Sequence, residues 1–386
     1  MNYLIIGNGV AGTEAALAIR KSDPEGAVAI LTSSPYLYYY RPSVIEYLAD
    51  GIARDRLIIY KPDFYEKNRI RMLLGTTVAK LMPDEKAVLD IQGRLYSYDR
   101  LLLATGADPV LPPIEGADLN GVFTLRGIED ADRLRAFAGA ANRAVVVGGG
   151  LLGLESAHSL AKLGLAVSVV EACGRLLPRQ LDADGARTLQ RLLEEKGLSF
   201  ALEDGVRAIE GNGSVKRVLL KSGRTIEADL VLVSAGIRGR CDLAREAGIA
   251  VDSGIVVDDH LRTSAEDVFA AGDPIEYRGK LFGIWPAAKE QGRIAGLNMA
   301  GVPTAYNPTL MAATLKITGI DLYSAGDFNA AGCDVLVASS DTGYKKLLLN
   351  AGLAVGAIAL GDRDAVKAAQ RVMDGKGELS EFRRFF

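Results

Sequence analysis

Short apolar runs recur along this chain, each followed by a glycine cluster and then by apolar residues at helical spacing. The first, Leu4-Ile5-Ile6, leads into Gly7-Asn8-Gly9-Val10-Ala11-Gly12-Thr13-Glu14. The second, Ala144-Val145-Val146-Val147, leads into Gly148-Gly149-Gly150-Leu151-Leu152-Gly153-Leu154-Glu155. Each pattern predicts a buried strand, a tight turn and a helix. Two further runs resemble one another, Leu101-Leu102-Leu103-Ala104-Thr105-Gly106 and Leu230-Val231-Leu232-Val233-Ser234-Ala235-Gly236, which points to an internal duplication. Between them, Asp108-Pro109-Val110-Leu111-Pro112-Pro113 cannot continue a helix or a central strand and marks a domain crossing. The first module is one strand short of a full sheet, so Val268-Phe269-Ala270-Ala271-Gly272-Asp273 is expected to return to it. From about Asn307 the pattern changes to short strands at Ala312–Ile317, Leu322–Gly326, Cys333–Ala338, Lys345–Leu349 and Val355–Leu360, closing with a helix near Ala365–Met373.

The glycine phrases carry the first chemistry. In a GxGxxG turn the first glycine permits the tight bend, the second lets backbone approach a pyrophosphate, and the third packs the helix on its strand. The phosphates then face a helix N-terminus, whose free N–H groups and dipole favour negative charge. One such phrase is a weak signal; two in strand–turn–helix context predict two bound dinucleotides. Eighteen residues after Gly153, Val167-Ser168-Val169-Val170-Glu171 ends a strand with an acid. At that offset a carboxylate accepts hydrogen bonds from an NAD ribose and repels a 2′-phosphate, so NADH is expected over NADPH. Arg175 lies four residues on and would soften the preference. The corresponding place in the first module holds Thr32, Ser33 and Ser34, hydroxyls that bond more weakly than a carboxylate.

Composition narrows the classes. The chain has 386 residues, 49% of them hydrophobic, and a formal charge of −3, which fits two or three ordinary globular domains. Lys and Arg form no basic stripe, so nucleic acid is not an expected partner. The start, Met1-Asn2-Tyr3-Leu4, enters a strand without a basic leader, and no apolar run approaches membrane length; the expectation is a cytoplasmic protein with no membrane partner. Cys173, Cys241 and Cys333 form no local dithiol pair, and two histidines, His158 and His260, make no credible metal site.

In this order the motifs resemble the two-dinucleotide flavoproteins of the pyridine nucleotide-disulfide oxidoreductase superfamily, strongly over about residues 1–300 and more loosely in the tail. The resemblance implies an α/β fold of the glutathione-reductase type, with two Rossmann-like dinucleotide-binding domains, the second inserted in the first, and a small α+β C-terminal domain. The expected boundaries are 1–110 and 236–305 for the FAD domain, 111–235 for the NAD domain and 306–386 for the tail. On the FAD side it implies Gly7, Gly9, Ala11 and Gly12 at the pyrophosphate and Ser33 and Ser34 at the ribose. Val78, Thr105 and Gly106 would line the cofactor, and Asp273 would bond the ribityl chain or a phosphate. On the NAD side it implies Gly148, Gly150, Leu151, Leu152, Gly153, Glu171 and Gly236, with Glu155 near the nicotinamide. Read without the resemblance, Glu155 is equally an acid serving the helix dipole.

The branch is set by what surrounds the flavin region. Tyr36-Leu37-Tyr38-Tyr39-Tyr40-Arg41-Pro42-Ser43-Val44-Ile45-Glu46 holds no cysteine, which argues against disulfide reduction. Its Tyr-Arg-Pro phrase resembles NADH:rubredoxin oxidoreductases and the flavin domain of NADH-dependent nitrite reductases, implying that Arg41, beside Pro42, approaches FAD. Glu46 stands where reductases of aromatic-ring oxygenases usually carry lysine. Leu176 to Asp182 and Trp285 to Arg293 look like the rubredoxin side too, with Trp285 either beside the isoalloxazine or an ordinary core residue. The implied function is an FAD-dependent oxidoreductase passing electrons from NADH to a small one-electron carrier such as rubredoxin or ferredoxin, with no obligatory acid–base residue. The alternatives are a non-catalytic redox sensor or the flavin subunit of a larger redox complex of the nitrite-reductase kind. Arg238, Arg240 and Lys280 are expected to form a basic surface for an acidic carrier.

Overall fold

A computed structural model describes residues 1–49, 51–315 and 317–386. The chain divides into two compact units. The first comprises Met1–Ser43, Ile52–Asp108 and Ile237–Thr309; the second comprises Val44–Gly51, Pro109–Gly236 and Leu310–Phe386.

In the first unit a five-stranded parallel sheet runs in the order Val268–Ala270, Arg100–Leu103, Asn2–Ile6, Ala27–Leu31, Ile70–Leu73. Its central strands are continuous apolar runs because both faces are covered, and Ile5, Leu101, Leu102 and Leu103 are fully buried. The return of Val268–Ala270 beside Arg100–Leu103 completes the sheet as expected, so the second module is inserted in the first. Helix Val10–Ser22 lies against helix Trp285–Met299 with almost no side chain between them. A Cβ at Gly292 would fall 2.2 Å from the Ala11 carbonyl oxygen, and one at Gly296 would fall 2.4 Å from that of Ala15.

The second unit repeats the plan. Its parallel sheet runs Ser199–Ala201, Ala166–Val170, Arg143–Val147, Leu230–Val233, Val122–Thr124. In both units the strand before the glycine phrase is central, with the next strand on one side and the run ending in glycine on the other. Each module also carries a three-stranded antiparallel sheet, at Val78–Met82, Ala87–Asp90, Leu95–Ser97 and at Val206–Gly211, Val215–Leu220, Thr225–Glu227.

The tail forms an antiparallel sheet in the order Ala312–Thr314, Leu322–Gly326, Leu353–Leu360, Tyr344–Asn350, Asp334–Ser339. Helices Arg363–Met373 and Leu379–Arg383 pack on it around Leu347, Ala357, Ala369 and Phe382. The expected strand Ala312–Ile317 is shorter, and its position 316 lies outside the described residues. Short helix Val44–Leu48, which follows the flavin-type Arg41-Pro42 phrase in sequence, belongs to the second unit. Tyr47 donates to Asp132 there, and Ser159 donates to the Ile45 carbonyl at 3.3 Å.

Candidate functional site

Each glycine phrase builds the same turn. Gly7 and Gly148 sit at φ +108° and +116°, and a Cβ would fall 2.1 Å from Ala104 O or 2.3 Å from Ser234 O. Glycine is therefore required twice over, by conformation and by space. At the third positions, Gly12 and Gly153, a Cβ would fall 1.9 Å from Gly7 O and 2.0 Å from Gly148 O. The middle positions are the opposite: at Gly9 and Gly150 nothing lies within 4 Å of a built Cβ. Both are N-caps without a side-chain cap, and neither helix has an acid in its first turn. Open space in front of uncapped helix N–H groups is the cradle a pyrophosphate fits.

The ends of the second strands differ as their sequences do. Glu171 grips its own fingerprint: Oε2 accepts from Gly149 N at 2.6 Å and Oε1 accepts from Cys173 N at 2.8 Å. In the first module Thr32 Oγ1 donates to Asn8 Oδ1 at 3.0 Å, and Asn8 Nδ2 donates to Tyr36 O at 2.8 Å. Ser33 is exposed; Ser34 is half-buried and accepts from Tyr36 N.

Within the first unit the remaining expected residues lie on several elements. Gly272, just before Asp273, would place a Cβ 3.2 Å from Ala11 Cβ. Its N–H donates to Gln291 Oε1 at 3.0 Å, and Gln291 is fully buried. Gln291 thus positions the Gly272-Asp273 turn, a role that sequence reading missed; a glutamine amid Ala, Gly and Ile on a packing face was the available signal. Thr105 Oγ1 donates to Arg240 O at 2.7 Å, and Arg240 N donates to Gly106 O at 2.9 Å. Val78 is half-buried at the start of its antiparallel strand. Trp285 opens its helix with Pro286 following, meets Tyr40 edge-on at 5.2 Å and lies 5.4 Å from Lys289 Nζ. Arg41, in the turn Arg41–Ser43 that contains Pro42, stacks over Tyr39 at 5.5 Å. Burial pushes the Tyr38 phenol up to about 12, so it stays a neutral donor.

Within the second unit Leu151 and Leu152 open the fingerprint helix half-buried, and Glu155 is half-buried one turn further on. Gly236, at φ +102°, lies three residues past strand Leu230–Val233, its carbonyl accepting from Val110 N.

All three cysteines are free thiols. Hydrogen bonding to Glu171 raises the Cys173 thiol and burial raises that of Cys241, the reverse of what an activated thiolate needs. The basic surface is corrected in part: Arg240 Nε lies 2.8 and 2.9 Å from the two Asp108 oxygens, a fork that neutralises it, while Arg238 is exposed. Among the described residues no cluster of His, Cys, Asp and Glu is placed to hold a metal, and no helix is long and apolar enough to cross a membrane.

Comparison with known proteins extends this picture. The family model for pyridine nucleotide-disulphide oxidoreductases matches residues 1–292, and that for the rubredoxin NAD+ reductase C-terminal domain matches residues 312–376. The NAD(P)H nitrite reductase of Bacillus subtilis is 35% identical over 385 residues, covering 98% of this chain and 48% of that protein. The chain thus spans about half the length of this relative. The rubredoxin-NAD(+) reductase of Pseudomonas putida is 35% identical over 285 residues, 73% of this chain and 74% of that protein. The crystal structure of NADH:rubredoxin oxidoreductase from Clostridium acetobutylicum superimposes with a TM-score of 0.82 at 28% identity, covering 100% of this chain and 99% of that one. With two matched cradles and these similarities, the chain belongs to the pyridine nucleotide-disulphide oxidoreductase family, with FAD and NAD(H) as its cofactors.

Proposed function

We propose that this chain oxidises NADH and passes the electrons singly to a small iron–sulfur carrier of the rubredoxin or ferredoxin type. One observation carries the reading: two dinucleotide cradles of the same geometry, only the second holding a strand-end acid, precede a tail that matches the rubredoxin NAD+ reductase C-terminal domain. Flavin, when bound, takes up two electrons together and releases them one at a time. The chain's own residues bind and orient. Gly9 and Gly12 open the FAD cradle, Gln291 holds the turn that presents Asp273, and Thr105 and Gly106 fix the backbone alongside. Gly150 and Gly153 open the NAD cradle, and Glu171 selects a free 2′-hydroxyl. The raised thiols of Cys173 and Cys241 support a one-electron carrier over a disulfide as acceptor. Free thiols, Cys173 exposed among them, suit a reducing compartment such as the cytoplasm.

A second reading has its own support: alignment along 98% of this chain with half of a nitrite reductase fits the flavin module of a larger redox assembly. Anaerobic NADH oxidation by the FAD-loaded protein, with and without excess oxidised rubredoxin or ferredoxin, tests the first. Carrier-dependent turnover sustains it; flavin bleaching by NADH with no turnover on either carrier overturns it in favour of the module or a redox sensor.

A further inference from the structure

The tail domain is bolted to the segment that backs the second fingerprint. Leu177 N donates to Gly149 O at 3.0 Å, and a Cβ at Gly149 would fall 2.9 Å from Leu176 Cδ2, so the loop after Glu171 lies directly on the turn. Leu176, Leu177 and Leu181 are fully buried. Leu177 sits at φ +47°, a left-handed conformation that a branched, buried residue adopts only when its surroundings impose it. Arg175 folds back into the same loop, Nε donating to Leu181 O and Nη2 to Pro178 O, both at 3.2 Å.

The far end of this loop is held by the tail. Ser324 donates to the Gln180 carbonyl. Asp182, the N-cap of helix Ala183–Glu194, accepts from Gly185 N at 3.0 Å. Its other oxygen accepts from Tyr344 OH at 2.7 Å and from Lys346 Nζ at 2.8 Å. The Asp182 and Lys346 side chains are only 16% and 15% exposed. Burial works to raise the Asp182 carboxyl, but the bonds from Lys346, Tyr344 and Gly185 outweigh it and hold the group below its ordinary value.

We propose that Lys346 and Tyr344, acting through Asp182, clamp the loop from Arg175 to Asp182 in its strained form, and that this clamp sets the affinity and the 2′-phosphate discrimination of the second cradle. The inference rests on the reading of that cradle as the NAD site. These are positioning residues, touching the loop and not the dinucleotide. With the clamp in place, Gly149 stays backed and the Arg175 guanidinium is spent on loop carbonyls. Released, the turn loosens and Arg175 becomes able to meet a 2′-phosphate, which the guanidinium fork suits.

The test uses the FAD-loaded chain, anaerobic and with its flavin reduced beforehand, so that added NADH or NADPH binds without transferring hydride. Lys346→Met/Tyr344→Phe is compared with Lys345→Met, which breaks the Lys345–Asp362 pair (3.4 Å) from the adjacent position of the same strand without touching the clamp. Calorimetric titration with NADH and with NADPH should show the NADH Kd of the double variant raised about five- to tenfold and the discrimination against NADPH reduced similarly. Hydrogen exchange of peptides covering residues 171–182, without nucleotide, should quicken in the double variant and not in Lys345→Met. If the double variant does not fold, Tyr344→Phe alone carries the test, with an expected rise of about two- to tenfold. Equal Kd ratios and equal exchange in clamp and control variants overturn the proposal. A wild-type protein that binds neither nucleotide overturns the NAD-site reading itself, and the proposal with it.

Discussion

Gly150 and Gly153 lie three residues apart in one turn, yet the structure separates their roles, and alanine at each should fail differently. At Gly150 the backbone is ordinary, φ −79° and ψ 177°, and a methyl meets nothing within 4 Å. The unliganded fold loses only the N-cap preference, under about 1 kcal/mol. The methyl does occupy the space through which a phosphate reaches the helix N–H groups. Each charge-assisted bond so lost is worth about 1.5–3 kcal/mol, so NADH should bind at least about tenfold more weakly, and about 100-fold at the upper value. At Gly153 the methyl would fall 2.0 Å from Gly148 O, so the turn itself must move. Overpacking of that kind costs about 1–3 kcal/mol, a fall in Tm of roughly 2–10 °C. Anaerobic calorimetry with NADH on the FAD-loaded protein with its flavin reduced beforehand, and thermal unfolding of the FAD-loaded protein, read the two effects separately. A Gly150→Ala protein that binds NADH as tightly as wild type refutes the placement of the pyrophosphate on this turn. A Gly153→Ala protein with unchanged Tm refutes the packing argument.

Other consequences are as direct. Glu171→Gln keeps the shape but removes the charge that repels a 2′-phosphate, so the ratio of NADPH to NADH Kd should fall by about tenfold in titrations of both nucleotides. Gly292→Ala puts a methyl 2.2 Å from Ala11 O and should lower FAD retention on gel filtration while leaving NADH binding intact. Burial works to raise the Asp90 carboxyl, but bonds from Arg94, Gln92 and Tyr96 outweigh it and depress it from 3.8 to about 2. A depressed acid stabilises the fold above its unfolded value, so the stability gap between wild type and Asp90→Asn should be full above about pH 4 and close as pH falls toward 2 in circular-dichroism melts. Arg238→Glu should raise the Michaelis constant for an acidic carrier at low salt with kcat unchanged, whereas Arg240→Glu should also lower Tm by setting two acids face to face at Asp108.

The parts legible in the sequence are those whose signal is local. The apolar runs before Gly7 and Gly148 fall at strand centres, and the tail strands from Leu322–Gly326 onward fall within about two residues of their expected positions. The return of Val268–Ala270 was legible because the duplication supplied a template with a missing strand. What escaped depends on pairs distant in sequence. Asp108 reads as the start of a domain crossing and Arg240 as part of a basic surface until the fold sets them 2.8 Å apart. Asp182 enters the sequence reading only as the end of the Leu176-to-Asp182 phrase, with nothing in its neighbourhood to announce Lys346 and Tyr344. Helix Val44–Leu48 follows the Arg41-Pro42 phrase without a break, and only its packing assigns it to the other unit.

The late arrival of Val268–Ala270 also bears on how the protein is made. Its register partner Leu101 leaves the ribosome about 165 residues earlier, roughly 10–30 s at ordinary elongation rates. During that interval the far side of Arg100–Leu103 is an unpaired strand edge carrying three consecutive leucines, the kind of surface that recruits other nascent chains. The insertion that brings a second cradle into the chain therefore delays closure of the first, and synthesis of this protein should be most vulnerable to aggregation while the inserted module is being translated.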